Sequence, residues 1–171
     1  YGKDGGAVKD KLDELKLTAV SSHVSLEELS SNLDEVISFH QILGIKNIVC
    51  PFTKWNTDKE FQEFVNVLSM VQEQISNKDL NLLYHNHDHE LISDGKDLYL
   101  NQYMNQVPGL LMELDTYWAS FASIDPVEYM KKHQARLELI HVKDMRMEEQ
   151  EKKTAAVGTG ILPISDIINC A

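Results

Sequence analysis

The chain has 171 residues, 43% of them hydrophobic, which is enough for one domain with a sizeable core. Its formal net charge of -11 gives a surface that repels nucleic-acid backbones and anionic membranes, so we expect neither as a partner. The two cysteines, Cys50 and Cys170, support neither a thiolate metal site nor a disulfide framework. No stretch reaches the roughly 18 uninterrupted apolar residues of a membrane span.

Helical and extended patterns alternate along the chain. Apolar residues at helical spacing predict helices, and short apolar runs that end at proline or at polar residues predict strands. In chain order, the predicted elements are a helix over 7–15, a strand over 17–22, a helix from Ser25 to Ile42, a strand over Asn47–Cys50, a helix from Thr57 to Ile75, a strand over Leu80–Tyr84, a helix between Lys96 and Asn105, a strand over Leu110–Leu114, a helix from Asp125 to His133, a strand over Leu137–Val142, a loop over Met145–Lys153 and a helix over Pro163–Cys170.

Several residues mark the ends of the predicted helices. Ser25 followed by Glu28 is a capping-box pattern, and Thr57 or its neighbour opens the next helix. Gly44 ends the helix that Ser25 begins. Pro126 stands at the first helical position after Asp125, where proline is favoured.

The alternation of helices and strands predicts right-handed βαβ crossovers and a parallel sheet, which two architectures provide. A doubly wound nucleotide-binding fold needs a glycine-rich turn after its first strand, and the sequence contains neither GxGxxG nor GxxxxGK[ST]. Barrel enzymes instead carry polar residues at the carboxyl ends of many strands. We therefore predict a single α/β domain over residues 1–171, a (β/α) TIM barrel. The residues that follow its strands are His23, Pro51, His85 with His87, Asp115 and His141.

Three of these residue types are metal ligands. His85, Asp115 and His141 follow successive strands, so their side chains are expected to converge on the rim where the carboxyl ends of the strands meet. Two imidazoles and a carboxylate suit Mn²⁺, Zn²⁺, Co²⁺ or Fe²⁺, with Mg²⁺ as a further candidate. The sequence thus predicts a divalent-metal site, although His141 taken alone would more often be a hydrogen-bonded structural histidine.

The densest polar cluster of the chain is His85–Glu90. Along an extended strand, the side chains of His85, His87 and His89 share one face while Glu90 points elsewhere. Because the cluster directly follows an apolar strand, we interpret it as part of the site. The alternatives are a solvated loop or a histidine-rich tract that binds metals non-specifically.

Two charged residues near the predicted ligands have two interpretations each. Glu113 alternates with Asp115 and shares the lumen with it, or it is a buried glutamate paired with a neighbouring Lys or Arg. Lys143 lies on the same face as His141, where it contacts a substrate oxygen or stabilises an enolate, or it is a rim lysine in solvent.

The aromatic and remaining histidine residues are also open to two interpretations. Trp118 is expected on the loop after Asp115, where it stacks on the apolar face of a sugar or caps the core. His23 lines the pocket from its own strand end, or has a helix-capping or structural role. His40 and His133 lie within predicted helices, and we expect them at the surface.

Four segments stand in an order and at a spacing typical of one family: Leu82–Glu90, Glu113–Trp118, Arg136 with Ile140–Asp144, and Val157–Ile161. Together they resemble the sugar phosphate isomerase/epimerase family of the xylose-isomerase-like barrel superfamily, in its His-Asn-His-Asp branch. The resemblance covers essentially the whole chain and is specific as a set.

The resemblance implies an eight-stranded barrel whose third to seventh strands are present here, and hence a domain truncated at both ends. It also implies a metal held by Glu, Asp, His and Glu from the fifth to eighth strands. Asp115 and His141 match the second and third of these ligands. His85 stands where the first Glu usually lies, with Glu90 as the other candidate, and the last Glu has no counterpart in this chain.

The function implied is a divalent-metal-dependent sugar isomerase or epimerase that abstracts a proton next to a sugar carbonyl. His87 or Glu90 would be the base, Lys143 would assist at the oxyanion, and His23 and Trp118 would contact the sugar. The alternatives are a keto-sugar dehydratase or lyase, and an inactive fragment or sugar-binding chain. A DNA-repair endonuclease of the same superfamily is disfavoured, because it needs a basic face and a richer ligand set for three zinc ions, whereas this chain is acidic and offers one cluster.

The sequence allows a homo-oligomer. It also allows either of two compartments: the cytoplasm, or the periplasm if a leader preceded Tyr1.

Overall fold

The computed structural model of the protein describes residues 4–93 and 95–171, so residues 1–3 and 94 of the predicted domain lie outside it. The chain forms two compact units. The first unit runs to Tyr84 and includes Gln106–Leu110, and the second comprises His85–Asn105 and Leu111–Ala171. Among the described residues, every helix is too short or too polar to cross a membrane.

Helices and parallel strands alternate in the first unit. Strand β1 pairs with β2 and β2 pairs with β3, all in parallel, as the predicted alternation requires. The elements are α1 (Gly5–Leu15), β1 (Ser21–His23), α2 (Leu26–Ser31), α3 (Leu33–Leu43), β2 (Asn47–Cys50), α4 (Asp58–Ile75) and β3 (Asn81–His85), of which His85 already belongs to the second unit.

The helix-end signals of the sequence are confirmed in this unit. The Ser25 hydroxyl accepts a hydrogen bond from the Glu28 N–H at the start of α2, and Thr57 caps α4 through the Glu60 N–H. Gly44 ends α3 in the left-handed conformation, with φ 69°. The position of α4 is therefore fixed at its beginning by local chemistry and along its length by its apolar face.

The single helix predicted from Ser25 to Ile42 is wrong, because the structure divides it at Asn32. This residue leaves the helical region, with φ -131° and ψ 30°. The hydroxyls of Ser30 and Ser31 both donate to the Glu27 carbonyl, at 2.9 and 2.6 Å, and so compete with the backbone hydrogen bonds that would continue the helix. The apolar periodicity continues across the break, which is why it was not visible in the sequence.

The core of the first unit forms where α4 packs on the strands. Leu68, Val71 and Ile75 recur on one face of α4 and are fully buried. All four residues of β2 are buried, so both faces of this strand are covered. Burial of such side chains stabilises the fold by about 1.5–3 kcal/mol each. The apolar run of β2 predicted this position, and Cys50 is one of its small buried side chains.

The two helical histidines expected at the surface are placed differently. His40 is fully buried, so the prediction for it is wrong. Its Nδ1 lies 2.7 Å from the Val36 carbonyl, to which it donates, and its Nε2 accepts from the Ser22 hydroxyl at 2.9 Å. His133, in the second unit, is half-buried with its ring 4.3 Å from that of Tyr129.

His40 gives the protein an acid-sensitive element. Burial lowers the pKa of His40, and this effect outweighs the hydrogen bond to Val36, which acts in the opposite direction. Below about pH 6.5 the unfolded chain therefore binds a proton that the folded chain binds less readily. We expect the free energy of unfolding to fall from that pH downwards until the folded-state pKa is passed, by at most about 1.4 kcal/mol per pH unit.

Urea unfolding as a function of pH checks this expectation. His40→Gln cannot titrate, so its stability should depend less steeply on pH than that of the wild type in the window just below neutrality. His23→Gln, a change of an exposed histidine, serves as the control. Parallel pH profiles for the wild type and His40→Gln would contradict the account.

The second unit brings the ends of two parallel strands together. Strands β4 and β5 pair with Asp115 opposite His141, and a bulge lies between Met112 and Glu113. The elements are a 3₁₀ turn (His89–Leu91), α5 (Tyr99–Gln106), β4 (Leu111–Asp115), α6 (Thr116–Phe121), α7 (Pro126–His133), β5 (Leu137–His141), β6 (Asp144–Glu148), β7 (Glu151–Ala155) and α8 (Ile164–Cys170).

The predicted loop over Met145–Lys153 is wrong, because this stretch is an antiparallel hairpin. Strands β6 and β7 pair with Asp144 opposite Ala155, and Glu148 opposite Glu151. The two connecting residues, Glu149 and Gln150, both have positive φ values, 51° and 70°, as a two-residue hairpin turn requires. The turn lacks the usual Asn-Gly signal and the strands are charged, so the composition masked the hairpin.

Helix α6 was also absent from the predicted elements. It begins directly after Asp115, whose carboxylate accepts a hydrogen bond from the Trp118 N–H at 2.9 Å. Trp118 therefore lies on a helix and not on the predicted loop. The helix has six residues, too few for a periodic pattern to show.

Candidate metal centre

Three ligand-type side chains converge at the strand ends of the second unit. His85 ends β3, Asp115 ends β4 and His141 ends β5, and their ligand atoms all lie within 4.8 Å of one another. Asp115 Oδ2 is 3.4 Å from His141 Nδ1 and 3.8 Å from His85 Nε2. The pairing of Asp115 with His141 in the sheet register places these two side chains side by side.

The two carboxylate oxygens of Asp115 have different surroundings. Oδ1 accepts the Trp118 N–H at the start of α6, which fixes the orientation of the carboxylate. Oδ2 is buried and accepts no hydrogen bond from residues 4–93 or 95–171. A buried oxygen in that position is disfavoured as an anion unless a cation compensates it.

The electrostatics of Asp115 agree with this arrangement. Burial raises the pKa of the Asp115 carboxyl, and the hydrogen bond from Trp118 together with the nearby charges of Lys143 and His141 only partly offsets that effect. A divalent cation at Oδ2 would be the largest local charge and would favour the ionised form. The donors, two imidazole nitrogens and one carboxylate oxygen, therefore fit a borderline divalent ion that keeps open coordination positions.

The histidine-rich segment is not the extended strand that the sequence predicted. Only His85 lies on a strand, and the chain then bends into the 3₁₀ turn over His89–Leu91. The reason is Glu90, which is fully buried and accepts the His87 N–H at 2.8 Å. Its other oxygen lies 3.1 Å from His89 Nε2, so the carboxylate is engaged inside the turn, outside the group formed by His85, Asp115 and His141.

His87 nevertheless remains beside the group. Its ring centroid lies 5.3 Å from that of His85 and 5.2 Å from that of Trp118. Burial lowers the pKa of His87, and the neighbouring His89 and Lys143 lower it further. A neutral imidazole at this position is able to accept a proton.

Lys143 is held against the aromatic residues of α6. Its ammonium lies 4.5 Å from the Tyr117 ring centroid and 4.8 Å from that of Trp118. The Thr116 hydroxyl accepts the Lys143 N–H at 3.1 Å and donates to the Lys143 carbonyl at 2.9 Å. The ammonium is 3.9 Å from Asp115 Oδ2, so this cationic group lies at the same centre.

Trp118 belongs to the second unit, which holds the candidate ligands, whereas His23 belongs to the first unit. The Trp118 ring is half-buried and lies over His87, so it forms an aromatic wall at the centre. His23 ends β1 in the first unit and is exposed.

The sequence did not reveal two residues that support the centre. The Asn86 side-chain oxygen accepts the Asp115 N–H at 3.0 Å and so fastens the ligand strand to the end of β3. Thr116 binds both backbone groups of Lys143. Both residues stand next to residues that were singled out, but adjacency in a motif does not show which backbone groups a side chain will bind.

Asp144 is a third supporting residue that the sequence did not reveal. Its buried carboxylate accepts four backbone N–H groups, from Met145, Gly158, Gly160 and Leu162, at 2.7–3.2 Å. Burial alone would raise the pKa of Asp144, but these hydrogen bonds outweigh it and lower the pKa. The Gly-Thr-Gly segment is therefore fixed beside Lys143 by a single carboxylate. The spacing of the two glycines was the only signal in the sequence.

Parallel strands that end in ligand-type residues are typical of a (β/α) barrel. Comparison with solved structures assigns the chain the xylose-isomerase-like barrel fold. It matches a sugar phosphate isomerase/epimerase from Parabacteroides distasonis ATCC 8503 with a TM-score of 0.78 and 19% identity. The match covers 98% of this chain and 64% of that one, so the chain spans less than two thirds of that structure. The predicted fold class and the resemblance to this group of barrels are confirmed.

Other matching structures carry different names on the same fold. The probable 3-DHS dehydratase AsbF from Bacillus anthracis, involved in petrobactin synthesis, has a TM-score of 0.74 and 15% identity over 96% of this chain and 70% of that one. An AP endonuclease of family 2 from Brucella melitensis has a TM-score of 0.76 and 14% identity over 99% of this chain and 73% of that one. No protein-family model and no curated protein sequence matches the chain. Identities this low show the fold alone.

Proposed function

We propose that the protein containing this chain is a divalent-metal-dependent isomerase or epimerase of a keto-sugar. The observation that carries the proposal is the convergence of His85, Asp115 and His141 around a buried carboxylate oxygen. A divalent ion held there would supply Lewis-acid polarisation of the substrate carbonyl and its adjacent hydroxyl. The names of the structural neighbours support the sugar as substrate class by analogy of fold.

The side chains around the group have the properties that proton abstraction next to a carbonyl requires. His87 is the base that we favour over Glu90, because the Glu90 carboxylate is already bound to the His87 N–H and lies against His89. Lys143 stabilises the negative charge that develops on the substrate oxygen. Trp118 presents its ring to an apolar face of the sugar.

Return of the proton decides the product. Delivery to the neighbouring carbon gives isomerisation, and delivery to the opposite face gives epimerisation. If a β-substituent leaves instead, the same first step yields a dehydratase or lyase. This second candidate is favoured by His85, which stands in place of a carboxylate that would return the proton, and by the name of the AsbF structure.

Solvent exchange tests the common first step. The protein with added Mn²⁺, Co²⁺ or Zn²⁺ is incubated with keto-hexoses, keto-pentoses and keto-glycosides in D₂O, and proton NMR follows the α-hydrogen. We expect metal-dependent loss of the α-hydrogen signal for one substrate class, and the products identify the isomerase, epimerase or lyase. A chain that binds the ion and is stabilised by sugars without any exchange would be a binding protein, and the catalytic proposal would be wrong.

Lys143→Met separates the oxyanion role from metal binding. We expect kcat to fall by about 10²–10³-fold, as for the loss of one oxyanion donor. Cation binding should become tighter or stay unchanged, because the substitution removes a positive charge 3.9 Å from Asp115 Oδ2.

Lys153→Met, at a half-exposed position of β7, is the matched control and should change neither property. Steady-state kinetics and isothermal titration with Co²⁺ check both parts. An unchanged kcat in Lys143→Met would remove this residue from the mechanism.

A further inference from the structure

We propose that Glu113 is a positioning residue that fixes the tautomer of His85, so that Nε2 faces the cation and Nδ1 carries the proton. The inference rests on the proposed metal centre and adds to it a role for a buried carboxylate outside the group formed by His85, Asp115 and His141. Glu113 is only 8% exposed. It stands two residues before Asp115 on β4, on the same face of the strand.

The His85 ring lies between two carboxylates. Its Nδ1 is 3.8 Å from Glu113 Oε2, and its Nε2 is 3.8 Å from Asp115 Oδ2. The ring is almost fully enclosed, with 5% of the side chain exposed. Each ring nitrogen therefore faces one carboxylate, and we infer that these two groups decide which nitrogen carries the proton.

The chemistry of a neutral imidazole assigns the two sides. It has one N–H and one lone pair, and a ligand histidine uses the lone pair for the metal. Nε2 is on the side of Asp115 and His141, where the other donor atoms converge, so the lone pair belongs there. The N–H is then on Nδ1, on the Glu113 side of the ring. A carboxylate behind a ligand imidazole orients the ring and makes its lone pair more basic.

The other ligand histidine shows why Glu113 is needed only for His85. His141 approaches Asp115 Oδ2 through Nδ1, at 3.4 Å, and 46% of its side chain is exposed, so water can solvate its remaining nitrogen. His85 is enclosed and depends on the protein for an acceptor. The Glu-Leu-Asp sequence of β4 thus provides one ligand, Asp115, and the orienting partner of another, His85.

Nitrogen NMR of the wild type tests the tautomer directly. With ¹⁵N-histidine labelling and Zn²⁺ as the diamagnetic probe, His85 should show a protonated Nδ1 and a metal-shifted Nε2. Its resonances are assigned by their loss in His85→Gln. A protonated Nε2, or a metal-shifted Nδ1, would overturn the proposal without any change at Glu113.

Substitution tests the role of the carboxylate. Glu113→Gln should bind Co²⁺ or Zn²⁺ about 10–100-fold more weakly than the wild type. His85 in this variant should be a mixture of the Nδ1–H and Nε2–H tautomers instead of a single tautomer. Glu138→Gln, an exposed carboxylate on the adjacent strand β5, is the matched control and should change neither. Tautomer populations report on the orientation itself, which a merely structural role for Glu113 would leave unchanged.

Equal affinity in Glu113→Gln and the wild type overturns the positioning role and leaves the metal centre standing. Complete loss of binding in Glu113→Gln, with binding retained in Asp115→Asn, makes Glu113 a ligand and overturns the proposal. If the wild type binds no divalent ion, the metal centre and the positioning role both fail.

Discussion

Replacing Asp115 by asparagine is expected to weaken divalent-cation binding by more than about a hundredfold and to leave the fold intact, because loss of a direct ligand should exceed the 10–100-fold cost of losing an outer partner. The two oxygens of the Asp115 carboxylate separate the effect on cation binding from the effect on the fold. An asparagine side-chain oxygen can still accept the Trp118 N–H, as the Asp115 Oδ1 does, so the start of α6 is preserved. The negative charge at Oδ2, between His85, His141 and Lys143, is lost.

Thermal unfolding with and without added ion shows both halves of this result. An ion present at 100 times its dissociation constant stabilises the wild type by about 2.7 kcal/mol, and Asp115→Asn should lose this gain. Without the ion, the variant should be at least as stable as the wild type, because it removes a buried charge whose cost of burial is only partly offset by its neighbours.

The control is Asp125→Asn, which also changes an aspartate that caps a helix. Asp125 accepts the N–H groups of Val127 and Glu128 at the start of α7, is exposed, and has no place in the centre. It should respond to the ion as the wild type does. Unaltered ion binding in Asp115→Asn would contradict the assignment of the ligand.

Gly160→Ala is the substitution with the largest expected effect on stability. A Cβ atom at this position would overlap the Met145 carbonyl and the Asp144 carboxylate, neither of which is the free end of a flexible side chain. The segment would have to move away and break hydrogen bonds to a buried charged group, each of which contributes about 1.5–3 kcal/mol. We expect a loss of about 3–5 kcal/mol, at the upper end for a single substitution.

Urea unfolding and amide hydrogen exchange measure this effect globally and locally. In the wild type, the N–H groups of Gly158, Gly160 and Leu162 donate to Asp144 and should exchange slowly. In Gly160→Ala that protection should be lost.

The control is Thr159→Ala, in the same segment but exposed, which removes one hydrogen bond to the Ala156 carbonyl. It should cost no more than about 1 kcal/mol. A Gly160→Ala variant that keeps slow exchange at these amides would show that the segment accommodates the methyl group.

The strand ends could be predicted from the sequence because local signals determine them. Strand β2 begins at Asn47 and ends at Cys50, as predicted, since an apolar run stopped by Pro51 has one way to form a strand. The same kind of signal predicted His85, Asp115 and His141 at the carboxyl ends of successive strands, where the structure has them. The alternation predicts a parallel α/β sheet, and the polar residues at the strand ends favour the barrel over the doubly wound fold.

The features that the sequence did not predict depend on contacts between residues distant in the sequence, or on local patterns too short to recognise. Glu90 looked like a ligand candidate, and only its hydrogen bond to the His87 N–H shows that it organises the turn. His40 lies in a helical pattern that does not predict its burial, because its partner Ser22 is 18 residues away in the sequence. Composition hid the β6–β7 hairpin, because charged residues are common in loops.

Solved structures of this fold carry the names of an isomerase/epimerase, a dehydratase and an endonuclease. We expect a sugar and not a nucleic-acid backbone as the substrate, because a net charge of -11 repels phosphate groups. With two imidazoles and one carboxylate, the group formed by His85, Asp115 and His141 suits borderline divalent ions better than hard ones.

The metal content of the chain tests the central claim most directly. The protein is purified without a histidine tag, incubated with Mn²⁺, Zn²⁺, Co²⁺ or Fe²⁺, freed of excess ion, and analysed for bound metal beside the double variant Asp115→Ala/His141→Ala. We predict one ion per chain in the wild type and none in the variant, with both proteins folded by circular dichroism. A well-folded wild type that holds no ion after incubation with excess, or a double variant that holds as much as the wild type, would contradict the metal centre and the mechanism built on it.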